Sequence, residues 1–174
     1  LGEDGALVRG PGEPYEVGTG LAPAQAGREQ RRRSLVVFHH FTDFRLVDEE
    51  SPLRSEWVDS CPNRLSTSTF RPQEALSLQA AAAMVAQANR IGRSPVTGRP
   101  VDFAVHTGNA ADNAQYNELR WFLDIMDGRR VEPDSGSAGY EGVQEESPLP
   151  AYPDLLEQAQ LPFAAPALRY PLYA

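Results

Sequence analysis

The chain has 174 residues, enough for one domain with a hydrophobic core, and its 41% hydrophobic content is typical of a soluble globular protein. Its formal net charge of −8 argues against nucleic acid as the main partner, because phosphate binding requires a basic surface. No apolar run approaches the roughly 20 residues of a membrane-spanning helix, so we expect no transmembrane segment. Cys61 is the only cysteine, which excludes an internal disulfide and a thiolate metal cluster. These features favour a cytoplasmic location, and secretion stays open because Leu1 is not an initiator methionine.

The first predicted strand follows an irregular N-terminal segment. Residues 1–33 are rich in Gly, Pro and charge without a sustained period, and we expect an extended arm there, followed by a domain over residues 34–174. The apolar run Leu35–Phe41 predicts a parallel strand that is buried rather than at a sheet edge. It leads directly into Thr42 and Asp43.

A long helix is predicted after Pro72, which suits the first turn of a helix. Apolar residues then recur with helical spacing, and Gly92 is a natural stop. The many alanines predict a thin helix that packs closely on a sheet. The recurring positions are Leu78, Ala81, Ala82 and Val85.

A second strand and a second helix follow. Residues 101–107 form the predicted strand, and residues 114–126 form the predicted helix. Asp112 or Asn113 is expected to cap that helix, and Gly128 is expected to end it. The expected apolar stripe consists of Leu119, Phe122, Leu123 and Met126.

The last third of the chain is polar and less regular. Residues 129–150 read as a polar insertion loop, longer than an ordinary connection. The acid-rich composition from Val131 to Glu157, which contains no basic residue, argues against anion binding there. A short helix is expected over residues 154–160, and the remaining residues predict an extended approach to a further strand.

The order strand, helix, strand, helix predicts an α/β fold built on a right-handed βαβ unit with two adjacent parallel strands. Asp43 and Asn109 would then leave the sheet side by side at its carboxyl edge, where such folds bind ligands. Taken alone, Asp43 either caps the next turn or binds a cation, and capping is slightly favoured. Gly108 and Asn109 form a tight turn or let the backbone approach a ligand.

Asp43 and Asn109 each lie within a long sequence motif. Residues 42–52 read TDFRLVDEESP, and residues 107–122 read TGNAADNAQYNELRWF. Three shorter stretches, residues 70–76, 94–100 and 140–144, add to the pattern. Over nearly its whole length the chain resembles the calcineurin-like metallophosphoesterase superfamily, and closely its actinobacterial-type subgroup.

The resemblance implies a partial metallophosphoesterase sandwich, a βαβ-based sheet flanked by helices, with residues 34–174 as the N-terminal half of the domain. It also implies two divalent metal ions, manganese, iron or zinc, that activate a water for attack on a phosphate-ester substrate. Asp43 matches a metal ligand, and Asn109 stands at the position of the metal-bridging aspartate. The residues expected to support the site or to face the substrate are Asp112, Asn113, Arg45 and His106.

The chain departs from the family at three points. Asn109 replaces an aspartate and so removes a charge that would hold a metal pair. Arg45 stands where the superfamily often has a histidine, and a fixed cation there opposes metal binding unless it grips the phosphate. Third, the chain carries only the first two metal motifs, and we expect the others beyond residue 174. The alternatives are a catalytically inactive scaffold or binding relative, and a fragment without function.

Overall fold

The computed structural model describes residues 16, 18–51, 72–137, 139, 141 and 155–174. The chain divides into two units, Leu1–Ser34 and Leu35–Ala174. Cys61, residues 1–15 and 17 of the predicted arm, and residues 138, 140 and 142–150 of the predicted loop over residues 129–150 lie outside the described residues. In chain order the elements are α1 (Arg28–Arg31), β1 (Phe38–Phe41), a 3₁₀ turn (Pro72–Leu76), α2 (Ser77–Arg90), β2 (Phe103–His106), α3 (Tyr116–Asp127), β3 (Arg130–Val131), α4 (Leu155–Ala159), β4 (Phe163–Ala164) and β5 (Leu172–Tyr173).

The first unit contains the single helical turn α1 within the predicted arm. None of the four residues of α1 is buried. In the part of the chain that the structure describes, no helix is long and apolar enough to cross a membrane.

The second unit is mixed α/β, as the pattern predicts, and its main sheet is parallel throughout. The strands lie in the order β1-β2-β5, so that β2 is central. Phe38 pairs with Phe103 and Phe41 with His106, which confirms that the first two strands are parallel neighbours. β5 provides the expected further strand and pairs with β2 through Leu172.

The prediction that the first strand is buried is wrong. Within the described sheet β1 is an edge strand, because it pairs with β2 alone. Leu35 is 87% exposed, and the regular strand begins only at Phe38, which is itself 48% exposed. Only Phe41 at the end of β1 is buried. An unbroken apolar run does not distinguish an edge strand with one covered face from a central strand.

Helices α2 and α3 cover one face of the sheet. The predicted stripe of α2 is confirmed, since all four of its residues are buried in the core. Ala88 at the end of α2 contacts Phe41 and Ala104, and Phe122 of α3 packs on the ring of His106. On the other face Phe38 and Phe103 stack in parallel, with their ring centroids 5.3 Å apart.

The predicted face and cap of α3 are wrong in part. Leu119 and Leu123 are 48% and 41% exposed. The buried positions of the helix are Glu118, Trp121, Phe122, Ile125 and Met126.

The helix is rotated relative to the expected stripe because the Glu118 carboxylate lies inside. Gln115, not Asp112 or Asn113, caps the helix, and it forms a reciprocal capping box with Glu118.

Gly128 ends α3, as predicted, in the left-handed conformation with φ 73°. A Cβ on this residue would lie 2.6 Å from the Ala167 Cβ, closer than such atoms can approach. Immediately afterwards β3 pairs antiparallel with β4. The expected loop from residue 129 therefore begins with a short strand, because the returning segment offers it a partner.

The left-handed conformation alone costs an alanine about 1 kcal/mol, and at Gly128 a steric clash adds to this cost. We therefore expect Gly128→Ala to lower the free energy of unfolding by more than about 1 kcal/mol. Gly98→Ala is the matched control, since Gly98 has φ +70° but no atom within 4 Å of its added Cβ. Urea denaturation of both variants measures the difference. Equal destabilisation of the two variants would show that the contact with Ala167 has no energetic weight.

Candidate functional site

The candidate site lies at the carboxyl edge of β1 and β2. The parallel pairing of the strands continues into the loops that follow them. The Asp43 N–H donates to the Gly108 carbonyl at 3.1 Å, and the Arg45 N–H donates to the Asn109 carbonyl at 2.9 Å. These backbone bonds hold Asp43 beside Asn109, as the predicted topology requires.

Three residues of the site have left-handed backbone conformations. Asp43 has φ 54°, Arg45 has φ 46° and Asn109 has φ 58°. Asp and Asn tolerate this region because their short polar side chains bond locally, whereas Arg pays a cost of about 1 kcal/mol. Such conformations concentrate at functional sites. Here they turn both loops sharply where the strands end.

The Asp43 carboxylate accepts hydrogen bonds on both oxygens. The Asn109 Nδ2 donates to Oδ1 at 2.7 Å, and the Thr42 hydroxyl donates to Oδ2 at 2.8 Å. The Arg45 Nε lies 3.3 Å from Oδ1 and forms an ion pair with it. These contacts hold the pKa of Asp43 below its ordinary value, and the hydrogen bond from Asn109 lowers it most. The carboxyl group is therefore ionised at neutral pH.

His106 lies under the site rather than in its hydrogen-bonded set. Its side chain is buried between the rings of Phe44 and Phe122, at centroid distances of 5.6 and 4.8 Å. Burial lowers the pKa of His106, while the nearby Asp43 charge opposes that shift. The imidazole is therefore neutral at neutral pH, and its Nε2 has no hydrogen-bond partner among the described residues.

Of the other two predicted residues, Asn113 bonds to the interior and Asp112 is exposed. The Asn113 amide donates to Glu118 at 3.1 Å, so this side chain supports the interior instead of the strand-end site. Asp112 has an exposed side chain, and its N–H donates to the Leu46 carbonyl. The pattern identified the adjacent residues but not the directions in which their side chains point.

Sequence reasoning missed the carboxylate of Glu118, which is fully buried. It accepts hydrogen bonds from the backbone N–H groups of Asp48, Asn113 and Gln115 and from the Asn113 side chain, at 2.8 to 3.3 Å. Glu118 thereby joins the loop after β1, the loop after β2 and the first turn of α3. The spacing of Gln115 and Glu118 is that of a capping box, the signal that could have identified it.

A second acidic group anchors the start of the predicted insertion loop. Asp48 accepts hydrogen bonds from the Asn117 amide at 2.6 Å and from the Ser135 hydroxyl at 2.8 Å. Glu50 accepts from the backbone N–H groups of Ser135 and Glu141, both at 2.7 Å. The acidic stretch of the first motif therefore binds Ser135 and Glu141.

The side chains of the strand-end site fit only part of a metal centre. In the described ranges no group of three His, Cys, Asp or Glu side chains is placed to hold a metal ion. Asp43 offers a carboxylate, and Asn109 would offer a neutral amide oxygen if its amide flipped, since it now donates through Nδ2. A single zinc ion already takes about four ligands. These two residues therefore do not complete a dinuclear centre.

Comparisons with known proteins do not add to this geometry. No protein-family model, no curated protein and no solved structure matches the chain. The resemblance of the sequence motifs to metallophosphoesterases therefore stays a prediction.

We expect Asn109→Gly to raise the pKa of Asp43 towards its ordinary value, because it removes the contact that lowers the pKa most. Glycine avoids backbone strain at φ 58°. Carboxyl ¹³C NMR titration measures the shift. Asp102, whose pKa is lowered by the Val37 N–H and Arg99, is the internal control and should not respond.

The direction of the Asp43 pKa shift determines how the stability of the fold changes with pH. The folded-state pKa of Asp43 lies below its ordinary value. The contacts of the ionised carboxylate therefore stabilise the fold above that value, and their contribution is lost as the pH falls through the folded-state pKa. An Asp43 titration that is the same in the variant and the native chain would contradict the assignment.

We expect Glu118→Gln to lower the free energy of unfolding by about 2 kcal/mol, because an amide NH₂ would face buried N–H donors. Glu132→Gln is the control, since the Glu132 side chain is 67% exposed, and it should change stability by less than about 0.5 kcal/mol. Urea denaturation compares the two variants. A Glu118 variant as stable as the control would refute the role of the buried carboxylate.

Proposed function

We propose that this chain forms the N-terminal half of a calcineurin-like metallophosphoesterase domain that hydrolyses phosphate esters. In this proposal Asp43 and Asn109 contribute two oxygen ligands to its metal site. The observation that supports it is the 2.7 Å approach of the Asn109 amide to the Asp43 carboxylate where two neighbouring parallel strands end. Open α/β folds bind ligands at that edge, and carboxylate and amide oxygens suit hard divalent cations such as manganese.

The residues of the chain prepare the site for a cation. The lowered pKa of Asp43 keeps its carboxylate ionised, so that cation binding releases no proton there. Thr42 and Asn109 orient the carboxylate through its two oxygens. The chemistry supplied when metal is bound is activation of a water and stabilisation of charge on the phosphate ester. The ligands still needed come from chain outside the described residues.

A second candidate, a binding relative without catalytic activity, is favoured by one observation. The charge of Asp43 is already offset by Arg45, and the neighbouring ligand position holds a neutral amide. A site with these residues has less negative charge with which to attract a metal pair. Metal binding separates the two candidates more directly than sequence patterns do.

We expect the native chain to bind Mn²⁺ weakly and Asp43→Asn to abolish that binding, because it removes the charged ligand. Asn109→Asp should tighten Mn²⁺ binding about tenfold, since it adds one unit charge next to the dication. The measurement is electron paramagnetic resonance of free Mn²⁺ in titrations. Asp102→Asn is the matched control, because Asp102 lies just before β2, near the opposite edge of the sheet, and its removal changes the net charge equally.

Mn²⁺ binding that Asp43→Asn leaves intact would place the cation elsewhere and would refute the proposed ligands. Hydrolysis of a chromogenic phosphate ester by the complete protein then distinguishes the two functions. Activity that depends on added Mn²⁺ and is lost in Asp43→Asn supports the phosphoesterase. Mn²⁺ binding without hydrolysis in both the native protein and Asn109→Asp supports the binding relative.

A further inference from the structure

We propose that the Arg45 guanidinium is an internal cation that occupies the metal side of Asp43 and competes with a divalent metal for its carboxylate. This inference rests on the proposed function, because it concerns the same ligand. It adds a property that the proposed function lacks: the chain carries its own inhibitor of metal binding, two residues along from the ligand.

The geometry of the loop after β1 is the first support. Asp43 and Arg45 both have left-handed backbone, and the ladder bond from the Arg45 N–H to the Asn109 carbonyl fixes the turn between them. The Arg45 side chain consequently returns over Asp43. Its Nε and Nη2 lie 3.3 and 3.4 Å from one carboxylate oxygen, Oδ1, the same oxygen that accepts from Asn109.

The use of the carboxylate lone pairs is the second support. Oδ1 accepts from Asn109 and Arg45, and Oδ2 accepts from Thr42. A metal ion at Asp43 needs one of these oxygens, and Oδ1 is the one on the side of Asn109, the other proposed ligand. A metal ion that uses Oδ1 must therefore displace the guanidinium.

The local charge is the third support. The side chains of Thr42, Arg45 and Asn109 each contact Asp43. In this group Asp43 carries the one negative charge, Arg45 carries the one positive charge, and Thr42 and Asn109 are neutral. Their formal charges cancel, so the cluster is already neutral without a metal. Hard-cation sites instead gather several carboxylates around one ion. A dication that enters here meets a neighbouring positive charge within a few ångströms.

The ion pair is weak enough to be displaced. The Arg45 side chain is 61% exposed and that of Asp43 is 45% exposed. Surface pairs of this kind are screened by water and salt and hold their partners loosely. Arg45 therefore lowers the affinity for metal without excluding it, and a displaced guanidinium remains near enough to pair with an anionic phosphate group.

Two substitutions at one position separate charge from shape. Arg45→Gln keeps the length of the side chain and removes the charge, and Arg45→Lys keeps the charge and removes the planar fork. We expect Arg45→Gln to bind Mn²⁺ about tenfold more tightly than the native chain, as expected for one unit charge a few ångströms from a dication. Arg45→Lys should bind Mn²⁺ as weakly as the native chain, in titrations followed by electron paramagnetic resonance at low salt.

Arg99→Gln is the matched control, because Arg99 pairs with the exposed carboxylate of Asp102 at 3.2 Å in a comparable ion pair. This variant should bind Mn²⁺ like the native chain. Circular dichroism of each variant confirms that the fold is retained. Tighter binding in Arg45→Gln with native-like binding in Arg45→Lys and Arg99→Gln supports the inference.

Every other result is also decisive. Native-like binding in Arg45→Gln, or equal tightening in Arg45→Gln and Arg45→Lys, overturns the competition by charge but leaves the proposed metal ligands in place. If Arg45→Gln binds Mn²⁺ and the native chain does not, the competition is supported, and the proposal that the native chain binds metal is refuted. Absence of Mn²⁺ binding in all variants overturns both the inference and the proposed function.

Discussion

The buried carboxylate of Glu118 is the constraint on which the site depends. It is fully enclosed, and its four hydrogen bonds reach the loop after β1, the loop after β2 and the start of α3. Burial of a carboxyl group without such partners would be destabilising, so these hydrogen bonds favour the arrangement in which the three segments stay together. Asp43 and Asn109 each lie a few residues before a segment that Glu118 binds, and backbone bonds between the two loops hold them side by side.

The strand-end site has the position expected of a ligand site but an unusual charge. Parallel pairing and two left-handed turns put Asp43, Asn109 and Arg45 in contact, and the lowered pKa of Asp43 keeps it ionised. Each of these properties favours cation binding. The guanidinium of Arg45 opposes it, since it neutralises the carboxylate from within the same loop. The chemistry of the site depends on the balance between these two effects.

Much of the fold could be predicted because it depends on local pattern. The α2 stripe, the end of α3 at Gly128 and the pairing of β1 with β2 follow from periodicity, glycine conformation and the handedness of βαβ units. The face of α3 could not be predicted in full, because apolar periodicity favours Leu119 over a charged Glu118. Burial of that carboxyl group depends on donors in two loops, one of them at Asp48, 70 residues away in the sequence.

By itself the sequence determined which residues end the two strands and that these ends meet at one edge, since parallel neighbours connected by a helix leave the sheet together. Tertiary structure decided the edge position of β1, which depends on the strands that pair with it. It also decided that Asn113 turns inward to Glu118 and that Arg45 turns back to Asp43. These partners are only five and two residues apart, but the directions of the side chains depend on left-handed backbone turns and on backbone bonds between the two loops, which a local pattern does not encode.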